Sequence, residues 1–183
     1  MARRLEAEAP GIRIAWSQVQ RGHISTELAS GRLDLAIDVA DLRGRDMESV
    51  ELLATPYACV MSRDHPSAGK ELAMEDFVAL RHVVVSSRRE GRSYVEEIAR
   101  AEGHRITPVM RLPHHMPALE IVRRTHLVAT VPLPLAESSG LAVLPLPPVF
   151  PHLRSVLYWR RENAEDPALT WLRDLVQQLA EAG

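Results

Sequence analysis

Cysteine is nearly absent from this sequence, since Cys59 is the one cysteine among 183 residues. A single thiol excludes an internal disulfide framework, and the apolar neighbours of Cys59 predict a buried, inert thiol. This cysteine usage fits a reducing compartment. A metal site is also disfavoured, because the sequence has no Cys-x-x-Cys or His-Glu-x-x-His spacing.

Long apolar runs and catalytic motifs are missing as well. No window approaches the roughly 18 apolar residues of a membrane span, and the N-terminus has no apolar core of signal-peptide length. There is no Gly-x-Ser-x-Gly elbow and no Gly-rich phosphate loop. We therefore predict a soluble, cytoplasmic chain that is not an enzyme, with no catalytic residues, no cofactor and no membrane partner.

An excess of positive charge is also absent, because 22 Lys and Arg residues face 24 Asp and Glu residues. The basic residues alternate with acidic ones and form no stripe, so this chain alone is not expected to bind DNA. Lys70 is the one lysine. Such a general bias towards arginine makes any single arginine weak evidence for a binding site.

The 46% of apolar residues can fill the core of one ordinary domain or of two small lobes. Their periodicity predicts strands at 12–17, 33–38, 50–54, 56–62, 83–85, 106–111, 126–131 and 154–160. It predicts helices at 2–8, 23–30, 74–79, from Ser93 to Gly103, at 115–124, from Pro132 and from Asp166, and Ser93 and Glu96 have the spacing of a capping box. The last helix should bury a stripe formed by Ala168, Leu172, Leu175, Val176 and Leu179.

Strands that alternate with helices predict an α/β fold. An inner series enclosed between two outer segments further predicts two lobes joined by two crossovers. Lobe I would comprise residues 1–82 and 146–183, and lobe II residues 83–145. A gap between two such lobes is a common place for a small ligand.

Two short segments resemble signatures of the LysR-type transcription regulators. Residues 28–38 combine a helix end, Gly31 and the apolar run 33–37, which suits a strand covered on both faces, and residues 57–66 combine a strand with a charged dipeptide and a His-Pro pair. The resemblance extends to the closing run at 166–173. It implies the effector-binding domain of that family, with a type 2 periplasmic-binding-protein-like fold, a small-molecule effector and a homodimer or higher homo-oligomer.

The same resemblance implies that segments of the family are missing here. The family places a winged helix-turn-helix and a linker helix ahead of this domain, and then a first strand. We therefore expect a fragment or late-assigned start of a longer regulator, with the first strand missing and with DNA bound only through the absent helix-turn-helix.

A histidine pair forms the first candidate site. In the subgroup of the family that senses aromatic acids and flavonoids, a histidine at this turn contacts the effector, and residues 111–115 resemble that pattern. His114 and His115 precede a predicted helix, whose N-terminus favours anionic and polar ligands. A capping or surface histidine is the open alternative, and the sequence does not tell which of the two faces the ligand.

Hydroxyl groups at two other strand ends extend the candidate site. Ser86 and Ser87 follow one strand and open a helix, where hydroxyls and free N–H groups can meet a carboxylate. Thr130 ends the next strand, and Val131 would supply an apolar flank. The alternatives are plain turn serines and core packing of Val131.

Three functions follow from these patterns. The first is an effector-binding domain that regulates transcription, and the alternative is a solute-binding protein of the same fold that serves transport. A small hydrolase is the third. Asp34 and Asp38 lie on one strand face and could in principle act as an acid and a base. Pairing of Asp34 with nearby arginines, and the position of Asp38 at the start of a polar loop, are the favoured explanations for these two carboxylates.

Overall fold

The computed structural model describes residues 1–39, 42, 44, 46–86 and 92–181. The α-helices among them are α1 (Ala2–Glu8), α2 (Arg21–Ala29), α3 (Met74–Ala79), α4 (Tyr94–Ala101), α5 (His115–Arg123), α6 (Leu133–Ser138) and α7 (Pro167–Glu181). The strands are β1 (Leu35–Val39), β2 (Met47–Thr55), β3 (Tyr57–Met61), β4 (His82–Val85), β5 (Met110–Leu112), β6 (Val128–Pro132), β7 (Ala142–Pro145) and β8 (Leu153–Arg160). A 3₁₀ turn covers Arg161–Asn163. In the described part of the chain, no helix is long and apolar enough to cross a membrane.

The alternating elements confirm the predicted α/β class. The chain divides into two compact units, one formed by Met1–Ala54 with Arg154–Gly183 and the other by Thr55–Leu153. The predicted lobes have boundaries at 82 and 146 instead. The boundaries differ because β3, which was expected in lobe I, pairs with β6 and β7 in the second unit.

The second unit contains a five-stranded sheet with the order β5-β4-β6-β3-β7. Strand β4 runs parallel to β5 and β6, whereas β3 runs antiparallel to β6 and β7. The carboxyl ends of β4, β5 and β6 therefore meet at one edge of the sheet. The amino end of β3 lies at the same edge, because Tyr57 is opposite Pro132.

Side chains alternate between the two faces of this sheet and so build two cores. Helices α5 and α6 cover one face, where their apolar residues cluster with strand residues Ala58, Val60, Val83, Ala129 and Val131. Helices α3 and α4 cover the other face, where they cluster with Cys59, Met61, Val84, Val128 and Leu144. Because both faces are covered, β3, β4 and β6 form nearly continuous apolar runs.

The first unit contains a three-stranded sheet with the order β1-β8-β2. Ile24 and Leu28 of α2 pack against Val156 and Tyr158 of β8. On α7, the guanidinium carbon of Arg173 lies 4.8 Å from the centre of the Trp159 ring, a cation–π distance. Trp159 and Tyr158 alternate along β8, so α7 and α2 lie on opposite faces of this sheet.

Four local predictions were wrong. The strand expected at 106–111 begins only at Met110. Residues 12–17 form no strand, since no described strand pairs with them, and Trp16 is 75% exposed. The strand expected at 33–38 is β1, Leu35–Val39, and it is not covered on both faces, because Ile37 is 41% exposed. Ala168 of the predicted α7 stripe is exposed, whereas Leu175 is buried as predicted.

Candidate functional site

The candidate site is the edge of the five-stranded sheet at which β4, β5 and β6 end. Open α/β sheets commonly bind ligands outside the carboxyl ends of their strands. All three predicted segments belong to this edge: Ser86 after β4, the histidine pair after β5, and Thr130 near the end of β6.

Ser86 lies in the turn that follows β4. Its backbone N–H donates a hydrogen bond to the carbonyl oxygen of Leu112, at 2.8 Å, and this bond extends the pairing of β4 with β5 by one residue. The turn is therefore held against the end of β5. Ser87 lies outside the described residues.

The two histidines stand at the start of α5 and differ in exposure. His114 is the extended N-cap residue, is exposed, and makes no capping hydrogen bond with its side chain. His115 is the first helical residue and is half-buried. Burial, assisted by the neighbouring charge of His114, lowers the pKa of His115, so its ring favours the neutral form. A neutral imidazole can both donate and accept a hydrogen bond.

Thr130 and Val131 are brought to opposite faces of the sheet. Val131 is fully buried in the core beneath α5 and α6, which is the packing role that the sequence left open. Thr130 lies on the α4 face, directly opposite Cys59, and is 8% exposed. Its hydroxyl oxygen is buried and has no hydrogen-bond partner among the described residues. Buried hydroxyls usually have a partner, so Thr130 is the unusual member of the pair.

Aromatic rings flank the same side of this edge. The Tyr57 and Tyr94 ring centres lie 5.5 Å apart, and the Tyr94 and Phe150 centres lie 6.2 Å apart. Tyr57 and Thr130 share the α4 face as diagonal neighbours on β3 and β6. Burial raises the pKa of Tyr57, and burial together with the charge of Tyr57 raises the pKa of Tyr94 to about 12. Both phenols are therefore neutral hydrogen-bonding groups at neutral pH.

An ion pair joins α4 to β5 beside this edge. Arg111 Nη2 donates to both carboxylate oxygens of Glu96, at 2.8 and 2.9 Å. Glu96 also forms a capping box with Ser93, whose backbone N–H donates to Glu96 Oε2 at 2.8 Å. Burial acts to raise the pKa of Glu96, but hydrogen bonds from Ser93 and Arg111 outweigh it and leave this pKa below its ordinary value.

Arg111 is the polar residue that the sequence reasoning missed. The arginine-rich composition gives any single arginine little weight as a site residue, so the sequence does not single out Arg111. The sequence does contain a signal for this contact. Arg111 is a charged residue on a strand that lies beside the apolar strand β4, and a charge in such a place requires an oppositely charged or hydrogen-bonding partner. The predicted capping box at Ser93 and Glu96 marked the carboxylate that serves as this partner.

The described side chains at this edge suit ligand binding, and the thiol nearest to them is not activated. Cys59 is fully buried, and burial raises the pKa of its thiol to about 12, which keeps it protonated. No group of three or more possible metal-ligating side chains occurs within the described ranges. The groups that meet at the edge are hydroxyls, an imidazole, a guanidinium and aromatic rings, all of which suit a small polar or aromatic ligand.

The sequence matches the family described as the LysR substrate binding domain over residues 1–181. The transcriptional activator NahR of Pseudomonas putida is 30% identical over 179 residues, which cover 96% of this chain and 60% of NahR. This chain therefore spans about 60% of the length of that relative.

Solved structures show the same fold. The probable transcriptional regulator PA0477 from Pseudomonas aeruginosa superposes with a TM-score of 0.84 at 28% identity, over 96% of this chain and 59% of that protein. The BenM effector-binding domain with its effector benzoate superposes with a TM-score of 0.75 over 99% of this chain and 84% of that domain. At 17% identity, the likeness to BenM concerns the fold alone. The chain thus belongs to the LysR substrate binding domain family and has the periplasmic-binding-protein-like fold of its effector-binding domains.

Proposed function

We propose that this chain is the effector-binding part of a LysR-type transcription regulator and that it binds a small aromatic carboxylate at the carboxyl ends of β4, β5 and β6. The observation that carries this proposal is the buried Thr130 hydroxyl, which lacks a partner among the described residues. Ser86, Ser87, His114 and His115 are the further binding groups of the proposal, and Val131 supports them from the core.

Related proteins support the regulatory role over a transport role. NahR is a transcriptional activator, and PA0477 is described as a probable transcriptional regulator. BenM binds benzoate, an aromatic carboxylate, in a domain of the same fold. The neutral Tyr57 and Tyr94 rings beside the site suit an aromatic ligand, and the hydroxyls suit its carboxylate.

The proposed mechanism makes and breaks no covalent bond. An effector shifts an equilibrium between two arrangements only by the difference between its affinities for them. That difference would act on DNA through a helix-turn-helix domain, in the cytoplasm. The chain itself would bind the effector and, through that binding, shift the equilibrium between the two arrangements.

A homodimer is a further part of the proposal. None of the residues of α1 is buried, and Met116 at the start of α5 is 67% exposed. Large exposed apolar side chains often mark interfaces. These two helices are therefore the proposed contact surfaces between copies.

A thermal-shift screen with benzoates, salicylates and flavonoids tests the binding function. A ligand at a hundred times its Kd stabilises the folded state by about 2.7 kcal/mol. We expect at least one aromatic carboxylate to raise Tm, His115→Ala to abolish the rise, and His104→Ala to retain it. His104 lies after α4, away from the sheet edge. Equal responses from the two variants would reject the site.

A further inference from the structure

Two buried polar atoms without partners lie in one row across the sheet. Besides Thr130 Oγ1, the Nη1 nitrogen of Arg111 is buried and has no hydrogen-bond partner among the described residues. Arg111 is level with Val84 in the β4–β5 pairing. Val83 is level with Ala129 in the β4–β6 pairing, so the next residues of these strands are Val84 and Thr130. Arg111 and Thr130 thus flank Val84 at the same level.

Both side chains lie on the α4 face of the sheet. Val84 belongs to the core cluster beneath α4, and Arg111 contacts Glu96 of that helix. Cys59, opposite Thr130, belongs to the same cluster. One strand, β4, lies between the Arg111 and Thr130 backbones, so two inter-strand spacings, or about 9.6 Å, separate them. Because both side chains lie on the α4 face, one ligand group is a candidate partner for both atoms.

The two orphaned atoms have complementary roles. Arg111 Nη2 donates to both oxygens of the Glu96 carboxylate, at 2.8 and 2.9 Å, which holds this end of the guanidinium in place. Nη1 is a donor only, and the Thr130 hydroxyl can donate or accept. A carboxylate offers two acceptor oxygens and can accept from both donors at once.

We infer that Arg111 and Thr130 together bind the carboxylate of the effector, with Arg111 Nη1 and Thr130 Oγ1 as the two donors. This inference rests on the proposed function and deepens it, because it names the cationic residue and the chemical group it recognises. Glu96 is a positioning residue, since it holds the guanidinium and does not contact the ligand.

Calorimetric titration of the full chain with salicylate and with salicylamide tests the inference. Salicylamide has the same ring and hydroxyl but a neutral amide in place of the carboxylate. Arg111→Lys keeps the charge and a nitrogen for Glu96 but removes the second donor. Thr130→Val removes the hydroxyl at nearly constant shape. Arg105→Lys, at an exposed position, is the matched control.

We expect the wild type to bind salicylate at least about tenfold more tightly than salicylamide. Arg111→Lys and Thr130→Val should each weaken salicylate binding by about tenfold and weaken salicylamide binding less, and Arg105→Lys should change neither.

Two results would overturn the inference, and they are distinguishable. In the first, wild type, Arg111→Lys and Thr130→Val bind salicylate with the same Kd. The proposed function would then stand, but these two residues would not contact the ligand, as expected if only ordered water binds their donors. A wild type that binds no aromatic carboxylate would overturn the proposed function together with the inference. Should Arg111→Lys fail to fold, Thr130→Val and the salicylamide comparison still decide the outcome.

Discussion

Thr130 lies directly opposite Cys59 in the antiparallel pairing of β6 with β3, and both side chains are buried on the α4 face of the sheet. The thiol beside the Thr130 hydroxyl is a weak hydrogen-bonding group. A buried hydroxyl without a partner destabilises the folded state by about 1–3 kcal/mol. The loss of stability from an unpaired hydroxyl at the carboxyl end of a strand is consistent with a residue that serves ligand binding and not the stability of the fold.

Replacing the Thr130 hydroxyl should therefore stabilise the protein. We expect Thr130→Val to raise the free energy of unfolding by about 1 kcal/mol, because the methyl group removes an unsatisfied polar atom. Urea unfolding measures this change. Thr125→Val is the matched control, since the Thr125 hydroxyl donates to the Ile121 carbonyl at 2.9 Å and accepts from the Leu127 N–H at 3.1 Å. This control should destabilise by about 1 kcal/mol, and equal losses in both variants would show that the Thr130 hydroxyl does have a partner.

The Glu96 carboxylate should stabilise the start of α4 and the end of β5 together. Glu96→Ala removes the capping box with Ser93 and the ion pair with Arg111, so we expect a loss of about 2–3 kcal/mol in the free energy of unfolding. Glu97→Ala, at the adjacent exposed position, should change it by less than about 0.5 kcal/mol. Similar effects of the two substitutions would contradict the assigned contacts.

His82 should make the protein sensitive to mild acid. Its ring is buried, Nε2 bonds to the Phe77 carbonyl oxygen at 2.7 Å, and burial lowers the pKa of His82. In the unfolded chain His82 binds a proton below about pH 6.5, whereas in the folded protein it stays neutral until the pH reaches its lowered pKa. The free energy of unfolding therefore falls as the pH drops from about 6.5 towards the folded-state pKa. His82→Leu should flatten this dependence, as seen by urea unfolding between pH 8 and pH 5. The exposed His152→Gln should retain it, and an unchanged slope in His82→Leu would disprove the assignment.

Cys59 should resist thiol reagents while the protein is folded. The side chain is fully buried, and the pKa of its thiol is raised to about 12, so the reactive thiolate is scarce at pH 8. We expect reaction with Ellman's reagent to proceed only as fast as the protein opens, and to become rapid in denaturing urea. A stoichiometric reaction within seconds under native conditions would show that this core is accessible.

Local patterns predicted local structure well. The helix expected at 74–79 is α3, Met74–Ala79, and the Ser93–Glu96 capping box forms as expected. Asp166 also caps α7, accepting a hydrogen bond from the Leu169 N–H at 2.9 Å. These features depend on contacts within four residues, which the sequence contains explicitly.

Features that depend on distant partners were not predictable in the same way. A strand pattern at 12–17 has the right periodicity, but a strand forms only if another strand pairs with it. The Glu96–Arg111 contact joins two elements 15 positions apart, and its existence depends on the β4–β5 pairing. For Thr130 and Val131, alternation along β6 already required opposite faces, so only one of them could face a given ligand.

Mapping salicylate binding by two-dimensional ¹H–¹⁵N NMR tests the central claim most directly, namely that the carboxyl ends of β4, β5 and β6 form a ligand site. The account predicts saturable shifts that are largest at the amides of Ser86, Arg111, His115 and Thr130, with little change in α7. Shifts that are confined to the first unit, or no saturable shifts with any aromatic carboxylate, would contradict it.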